Sequence, residues 1–232
     1  MTVDQANGRL YVINDSSDTV SAYTINPTTG ALTAMPFSPI SLGTGTWNTI
    51  VVHPSGSPLV IGSNATNGPV HSFAITSTTA TPAAGSPYPM GAAVAGFSSR
   101  MSQDGNFYYV GGNLGANIGG FSVDSGTGVL TTIAGSPFPT VAATLAYATD
   151  GAGRLFGVDS ANAIRVFTSS AGALSPVAGN PFTSGLTQRR MGIIHPSGNF
   201  YMVAGNSGNN VGVFQIAGSG AATTVAAVPG SP

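Results

Sequence analysis

The sequence contains no cysteine, no lysine and no glutamate. Without cysteine there is no disulfide framework, no thiolate metal site and no thiol nucleophile, and the redox compartment is left open. Without lysine and glutamate the chain loses two of the long side chains that favour helices. Charged residues make up 6% of the chain, against roughly 25% in an ordinary soluble domain. The six basic residues are all Arg and the seven acidic ones all Asp, for a net charge of -1. No basic stripe exists to displace counterions from phosphates, so nucleic acid is not expected as a partner. No stretch approaches the ~20 apolar residues of a membrane span, and the N-terminus lacks a basic-then-apolar signal pattern, as a mature secreted chain would.

What is present points to strands. The 232 residues include 33 Gly and 16 Pro among abundant Ser, Thr and Asn, and 42% are apolar, too many for a disordered chain of such low net charge. Turn formers cutting short apolar runs argue for an all-β chain, and the length argues for a single domain over 1–232.

The runs repeat. A turn glycine recurs at Gly8, Gly56, Gly105, Gly153 and Gly198, spaced by 48, 49, 48 and 45 residues. The segments that follow it, RLYVIN, SPLVIG, NFYYVG, RLFGVD and NFYMVA, align without a gap. An aromatic in the next strand (Tyr23, Phe73, Phe121, Phe167, Phe214) and a proline corner (Pro39, Pro87, Pro137, Pro181, Pro232) keep a similar period. Residues 104–123 are the clearest copy. In that third copy, strands are expected at 94–100, 107–111, 118–123 and 129–133. The second strand is apolar throughout where a half-exposed strand would alternate, which implies burial on both faces. A four-stranded antiparallel sheet buried on both faces and repeated every 45–50 residues is a β-propeller blade. Five blades are expected, at about 1–40, 41–89, 90–139, 140–183 and 184–232. Gly30, Gly128, Gly172 and Gly220 sit where a hairpin needs a left-handed residue, whereas the second copy has Ala80, so a different turn is expected there.

The strands LYVIN at 10–14 and FYYV at 107–110, the HPSG turns at 53–56 and 195–198, and the GSP corners at 85–87, 135–137 and 230–232 resemble the YVTN-type repeats of lactonase-like and surface-layer β-propellers. The resemblance covers essentially the whole chain. It implies a ring of usually seven blades, against the five counted. Met1 falls inside the innermost strand of the first blade, and Pro232 follows the outer strand of the last, leaving no strand to interlock with blade 1. Three arrangements follow: a closed five-bladed ring, part of a larger ring, or a chain completed by association with another. An unclosed stack would expose two apolar blade faces.

Chemistry is sparse. His53 and His195 occupy one turn slot in two blades, so the repeat accounts for them, and His71 lies in a third strand. Every Asp has a turn-making alternative. No catalytic set, metal set or cofactor motif emerges, and the Glu, His or Arg that propeller lactonases draw into a central site has no Glu to come from here. Asn14-Asp15-Ser16 and Asn64-Ala65-Thr66 fit the glycosylation pattern, which arises readily by chance in such a composition. Residues that break the repeat in the innermost strands are more informative. Trp47, Arg100, Tyr147, Arg189 and Arg190 are the candidate ligand-binding residues, because Arg with aromatics near the axis can hold an anionic or sugar-like ligand. The plainer alternative is that these Arg bond blade-end carbonyls and the aromatics fill gaps between blades. The expected function is a non-enzymatic binding or structural module, extracellular or at a cell surface, whose partners are a second copy of itself, another surface protein or carbohydrate. The alternative is a lactonase-like hydrolase of the 6-phosphogluconolactonase type, with an Arg- and His-lined axial site.

Overall fold

The computed structural model describes all residues except 113–114, 187–190, 206–209 and 230–232. Five antiparallel sheets follow one another along the chain, and each is a meander of four strands counted outward from a common axis. The innermost strands are Thr2–Asp4, Trp47–Val52, Ser98–Met101, Thr144–Thr149 and Met191–Ile194. The second strands are Arg9–Asn14, Leu59–Ser63, Phe107–Gly111, Arg154–Asp159 and Phe200–Ala204. This is a β-propeller architecture, with a single short 3-10 turn at Asp15–Ser17 and no α-helix among the described residues.

The repeat holds with one adjustment of register. The third-strand aromatics Tyr23, Phe73, Phe121, Phe167 and Phe214 pair with Leu10, Leu59, Tyr108, Leu155 and Tyr201. Those partners stand two residues after the turn glycine in blades 1 and 4, and three after it in blades 2, 3 and 5. The gapless alignment of the second strands is therefore off by one in two copies. Side chains alternate between faces with period 2, so only the paired register assigns the faces correctly.

In blades 1 to 4 the fourth strand is broken or displaced at the proline corner into a three- or four-residue piece and a two-residue piece. The residue before the proline closes the break. Ser38 Oγ, Ser86 Oγ, Ser136 Oγ and Asn180 Oδ1 accept from the backbone N–H groups of Ala22, Ser72, Gly120 and Val166, all at 2.9–3.0 Å. A buried N–H left without a partner is costly, so the corner's side chain substitutes for the missing ladder bond. Pro232, the fifth of this series, lies outside the described residues. Ala80 pairs with Ile75 in the strand, and Thr76 N–H bonds the Thr79 carbonyl in a tighter turn than the Gly30 and Gly128 hairpins.

Blades pack face to face through four hydrophobic cores. Tyr11, Val60, Tyr109 and Phe156 each meet the third-strand aromatic of the following blade and its Leu or Tyr partner. Burying one such side chain stabilises by roughly 1.5–3 kcal/mol. The second strands of blades 2, 3 and 4 are buried almost throughout, as their unbroken apolar runs predict. In blade 5 burial alternates instead, and in blade 1 only Tyr11 is fully buried while the rest of the strand is half-buried. Five blades thus share four cores among the described residues, where a closed five-bladed ring would have five, so that arrangement is not the one adopted. The reason is visible in the strands: one face of blade 1 and one of blade 5 pack against no described neighbour. The same HPSG turn shows the difference, because His53 is buried against Gly105 of blade 3 while His195 of blade 5 is exposed.

If the corner side chain replaces a ladder bond, Ser86→Ala should lower unfolding free energy by about 1–3 kcal/mol, because the fully buried Ser72 loses its N–H acceptor. Ser86→Asn should restore much of it, since blade 4 uses Asn180 in that slot. Urea denaturation of the three proteins measures both effects.

Candidate functional site

The innermost strands of all five blades line an axial space of about 610 Å³. Its lining includes Thr2, Val52, Arg100, Ser102, Gln103 and Thr149. Toward the other mouth of the axis lie Asn48, Thr49, Ser98, Ser99 and Tyr147, again beside Arg100. Arg100 belongs to both halves.

Its position is set by irregularity in the neighbouring blade. The inner strand of blade 4 carries a β-bulge between Leu145 and Ala148, with Ala146 at φ 57°. A bulge leaves backbone groups out of the ladder and often lies beside a functional site. Here blade 3 satisfies them: Tyr147 N–H donates to Ser98 Oγ at 3.0 Å, and Arg100 Nε donates to the Tyr147 carbonyl at 3.2 Å. Arg100 Nη2 donates to the Gly192 carbonyl of blade 5 at 3.1 Å. A second bulge, between Trp47 and Thr49 in blade 2, turns Asn48 toward the carbonyls of Gly96 and Phe97.

Arg100 differs from the other described arginines in its electrostatics. Arg9, Arg154 and Arg165 lie against Asp4, Asp150 and Asp159, at 3.9, 2.7 and 2.7 Å. Arg100 pairs with no carboxylate among the described residues. Burial lowers its pKa, and Tyr201 pulls the other way, but a guanidinium stays cationic at any working pH. The result is a half-buried positive charge on the axis whose hydrogen bonds, among the described residues, go to neutral carbonyls. In the cores between blades, Tyr147 Oη is buried against Gly111 without a partner among the described residues, and Thr49 Oγ1 and Ser99 Oγ lie against the Tyr108 hydroxyl without a well-aligned bond. Burial raises the Tyr147 and Tyr201 pKa values strongly, so both remain neutral phenols.

The structure therefore brings Arg100 to the axis, whereas the Tyr147 ring is buried in the core between blades 3 and 4 and only its backbone carbonyl meets Arg100. Trp47 is buried between blades, its Nε1–H donating to the Gly43 carbonyl and its ring 4.8 Å edge-on from His71. Arg189 and Arg190 lie outside the described residues. Sequence reasoning passed over Asn48, Ser98, Ser99, Gln103 and Thr149. Ser98 and Ser102 stand two residues either side of Arg100, and that period-2 spacing along one strand face was the available signal. No imidazole or carboxylate lines the axial space among the described residues, nor does any group of three His or Asp converge there as a metal set.

No protein-family model and no curated protein sequence matches this chain. Solved structures do. A Lactobacillus plantarum protein superposes with a TM-score of 0.80 at 18% identity, over 99% of this chain and 70% of that one. The periplasmic gluconolactonase of Pseudomonas aeruginosa gives 0.78 at 19% identity, over 98% and 69%. A Bacteroides fragilis protein assigned as a 6-phosphogluconolactonase gives 0.76 at 18% identity, over 96% and 68%. At such identities the likeness is one of fold.

His71 yields a pH-dependent expectation. Burial between Trp47 and Phe73 lowers its pKa, against an opposing backbone bond at Leu42. The folded state therefore holds the neutral ring more firmly than the unfolded state does. This contribution is complete above the unfolded pKa of about 6.5 and is lost as pH falls below it. Thermal unfolding should weaken between about pH 7.5 and 5.5, and His71→Gln should flatten that decline.

Proposed function

We propose that the axial space binds a small, polyhydroxylated anion of the sugar-acid or sugar-lactone class, with Arg100 as the residue that selects it. The observation that carries this reading is the charge of Arg100, set on the axis with no carboxylate among the described residues to neutralise it. An anionic group placed against it would gain a charge-assisted hydrogen bond, worth about 1.5–3 kcal/mol. Hydroxyls and amides around it, from Ser98, Gln103 and Thr149, suit the hydroxyl groups of a sugar.

A hydrolytic reading is favoured by the structural neighbours, two of which carry lactonase names. In such a reaction the water oxygen attacks the lactone carbonyl, the ring C–O bond breaks and the proton passes to the leaving alkoxide. Arg100 would stabilise the oxyanion formed on the way. The described lining supplies this electrostatic part and no side chain suited to take the proton from water, so binding is the reading that the lining supports directly.

Calorimetric titration with gluconate and 6-phosphogluconate, alongside a pH-stat assay of gluconolactone opening, tests both. Binding should weaken about 10–100-fold in Arg100→Gln, and less in Arg100→Lys, which keeps the charge. Turnover that disappears with Arg100→Gln while circular dichroism is unchanged would establish the hydrolase. Neither binding nor turnover with any of the three compounds would overturn the proposal.

A further inference from the structure

Away from the axis, each blade meets the next at the turn that joins its first and second strands, and three of the four junctions hold a basic side chain there. The pairs that flank these turns are Asp4 with Arg9, His53 with Pro58, Ser102 with Phe107, and Asp150 with Arg154. The turn glycine of the following blade lies against them. A Cβ on Gly56 would strike Asn7 and Asp4, the latter paired with Arg9, and one on Gly105 would strike the His53 imidazole. Between blades 4 and 5, where Gly198 is uncovered, the Arg154 guanidinium is held by Asp150 and crosses to the Ala217 and Gly218 carbonyls.

The junction between blades 3 and 4 departs from this. Ser102 takes the slot of His53 and turns its hydroxyl to Asp104 and the Phe107 N–H. Phe107 stands where blades 1 and 4 carry arginine. A Cβ on Gly153 would meet nothing within 4 Å. A cleft of about 170 Å³ opens there, lined by Ser102, Asp104, Phe107 and Tyr109 of blade 3 and by Asp150 and Ser169 of blade 4, with no basic side chain in its wall. The neutral amide of Gln103 braces it, donating to the Thr149 carbonyl. Asp150 is neutralised by Arg154, whereas Asp104, exposed at the mouth, pairs with no arginine among the described residues. Burial works to raise the Asp104 pKa, but bonds from Ser102 and Asn106 outweigh it and hold the carboxyl below its usual range. The free charge of this cleft is therefore negative, beside two aromatic rings. Its volume is below the roughly 300–1,000 Å³ of pockets for drug-sized ligands and suits a single functional group.

We propose that the cleft between blades 3 and 4 is a binding site for a guanidinium group, recognised by the Asp104 carboxylate and the neighbouring Phe107 ring. The chain supplies its own template, since a guanidinium fills the corresponding place in blade 4 and an imidazole the one in blade 2. A planar cation can pair with a carboxylate through two N–H groups and lie against an aromatic ring, which an ammonium does less well. The group would arrive on a small free guanidino compound or on an arginine of a peptide.

Titrating the 232-residue protein with methylguanidinium, methylammonium and the neutral isostere methylurea, followed by backbone amide NMR shifts, tests the proposal. Methylguanidinium should move the Asp104, Gly151, Gly153 and Ser169 amides saturably at millimolar concentrations, well below those that denature. Methylammonium should bind more weakly and methylurea not at all. Asp104→Asn, at an exposed side chain whose substitution leaves the fold intact, should weaken methylguanidinium about 3–10-fold. Ser102→His, which restores the side chain that blade 2 carries in this slot, should abolish binding. Acetyl-arginine-methylamide separates the two sources: binding as tight as methylguanidinium or tighter assigns the site to a peptide arginine, and weaker binding to a small guanidino compound. The proposal is overturned if methylguanidinium gives no saturable shift at those amides, if methylurea matches it, or if neither substitution weakens it.

Discussion

Everything in this molecule rests on the contact between one sheet face and the next. A second-strand residue such as Tyr109 or Phe156 presses on the paired Leu or Tyr and aromatic of the following blade, and each contact is mostly apolar area removed from water. Within a blade the strands are held by their ladders, but no ladder crosses from blade to blade. The order of the sheets around the axis, and so the shape of the axial space, depends on side-chain packing and on side chains that bond a neighbouring blade's carbonyls, as Tyr109, Thr149 and Tyr201 do. With 6% charged residues there is little else to orient one blade against another.

The charges that exist are spent locally. Asp4, Asp150 and Asp159 hold arginines and turn amides within their own blades. Arg154 also bonds the Ala217 and Gly218 carbonyls of blade 5, and Arg100 joins the third blade to the fourth and fifth through backbone carbonyls. This is the carbonyl-bonding role considered as the plainer alternative for the axial arginines, and it coexists with an unneutralised charge facing the axis. One side chain can brace the bulged strand at Tyr147 and still offer its field to a ligand.

Much of the architecture was legible in the sequence because a repeat samples the same physical problem five times. Turn glycines, third-strand aromatics and proline corners each report one recurring backbone demand. Register was less legible, since Gly8 and Gly153 stand one residue nearer their strands than their counterparts, and only cross-strand pairing reveals it. Closure was not legible at all: the apolar runs of blades 1 and 5 look like those of blades 2 to 4, and burial alone tells them apart. At the site, departure from the repeat was a useful guide but an ambiguous one. Trp47 and Arg100 both break the pattern, yet the bulge at Asn48 and the pleat of blade 2 place the first in the core, while the second faces the axis. Ser98 could have been found from its period-2 spacing to Arg100, but Thr149 gave no signal in a chain where such residues are everywhere.

The proline corners have a further consequence, at the rim. An outermost strand presents unpaired N–H and C=O groups to any passing chain, and proteins commonly blunt such edges with lysine. This chain has none. In blades 1 to 4 the break at the corner does that work: the rim is cut into pieces of two to four residues, too short and too bent to template a new strand. Blade 5 is different, with an unbroken outer strand at Ala222–Pro229 paired along its length with the third. The rim that lacks this break therefore belongs to the same blade whose second strand, with that of blade 1, is the least buried of the series.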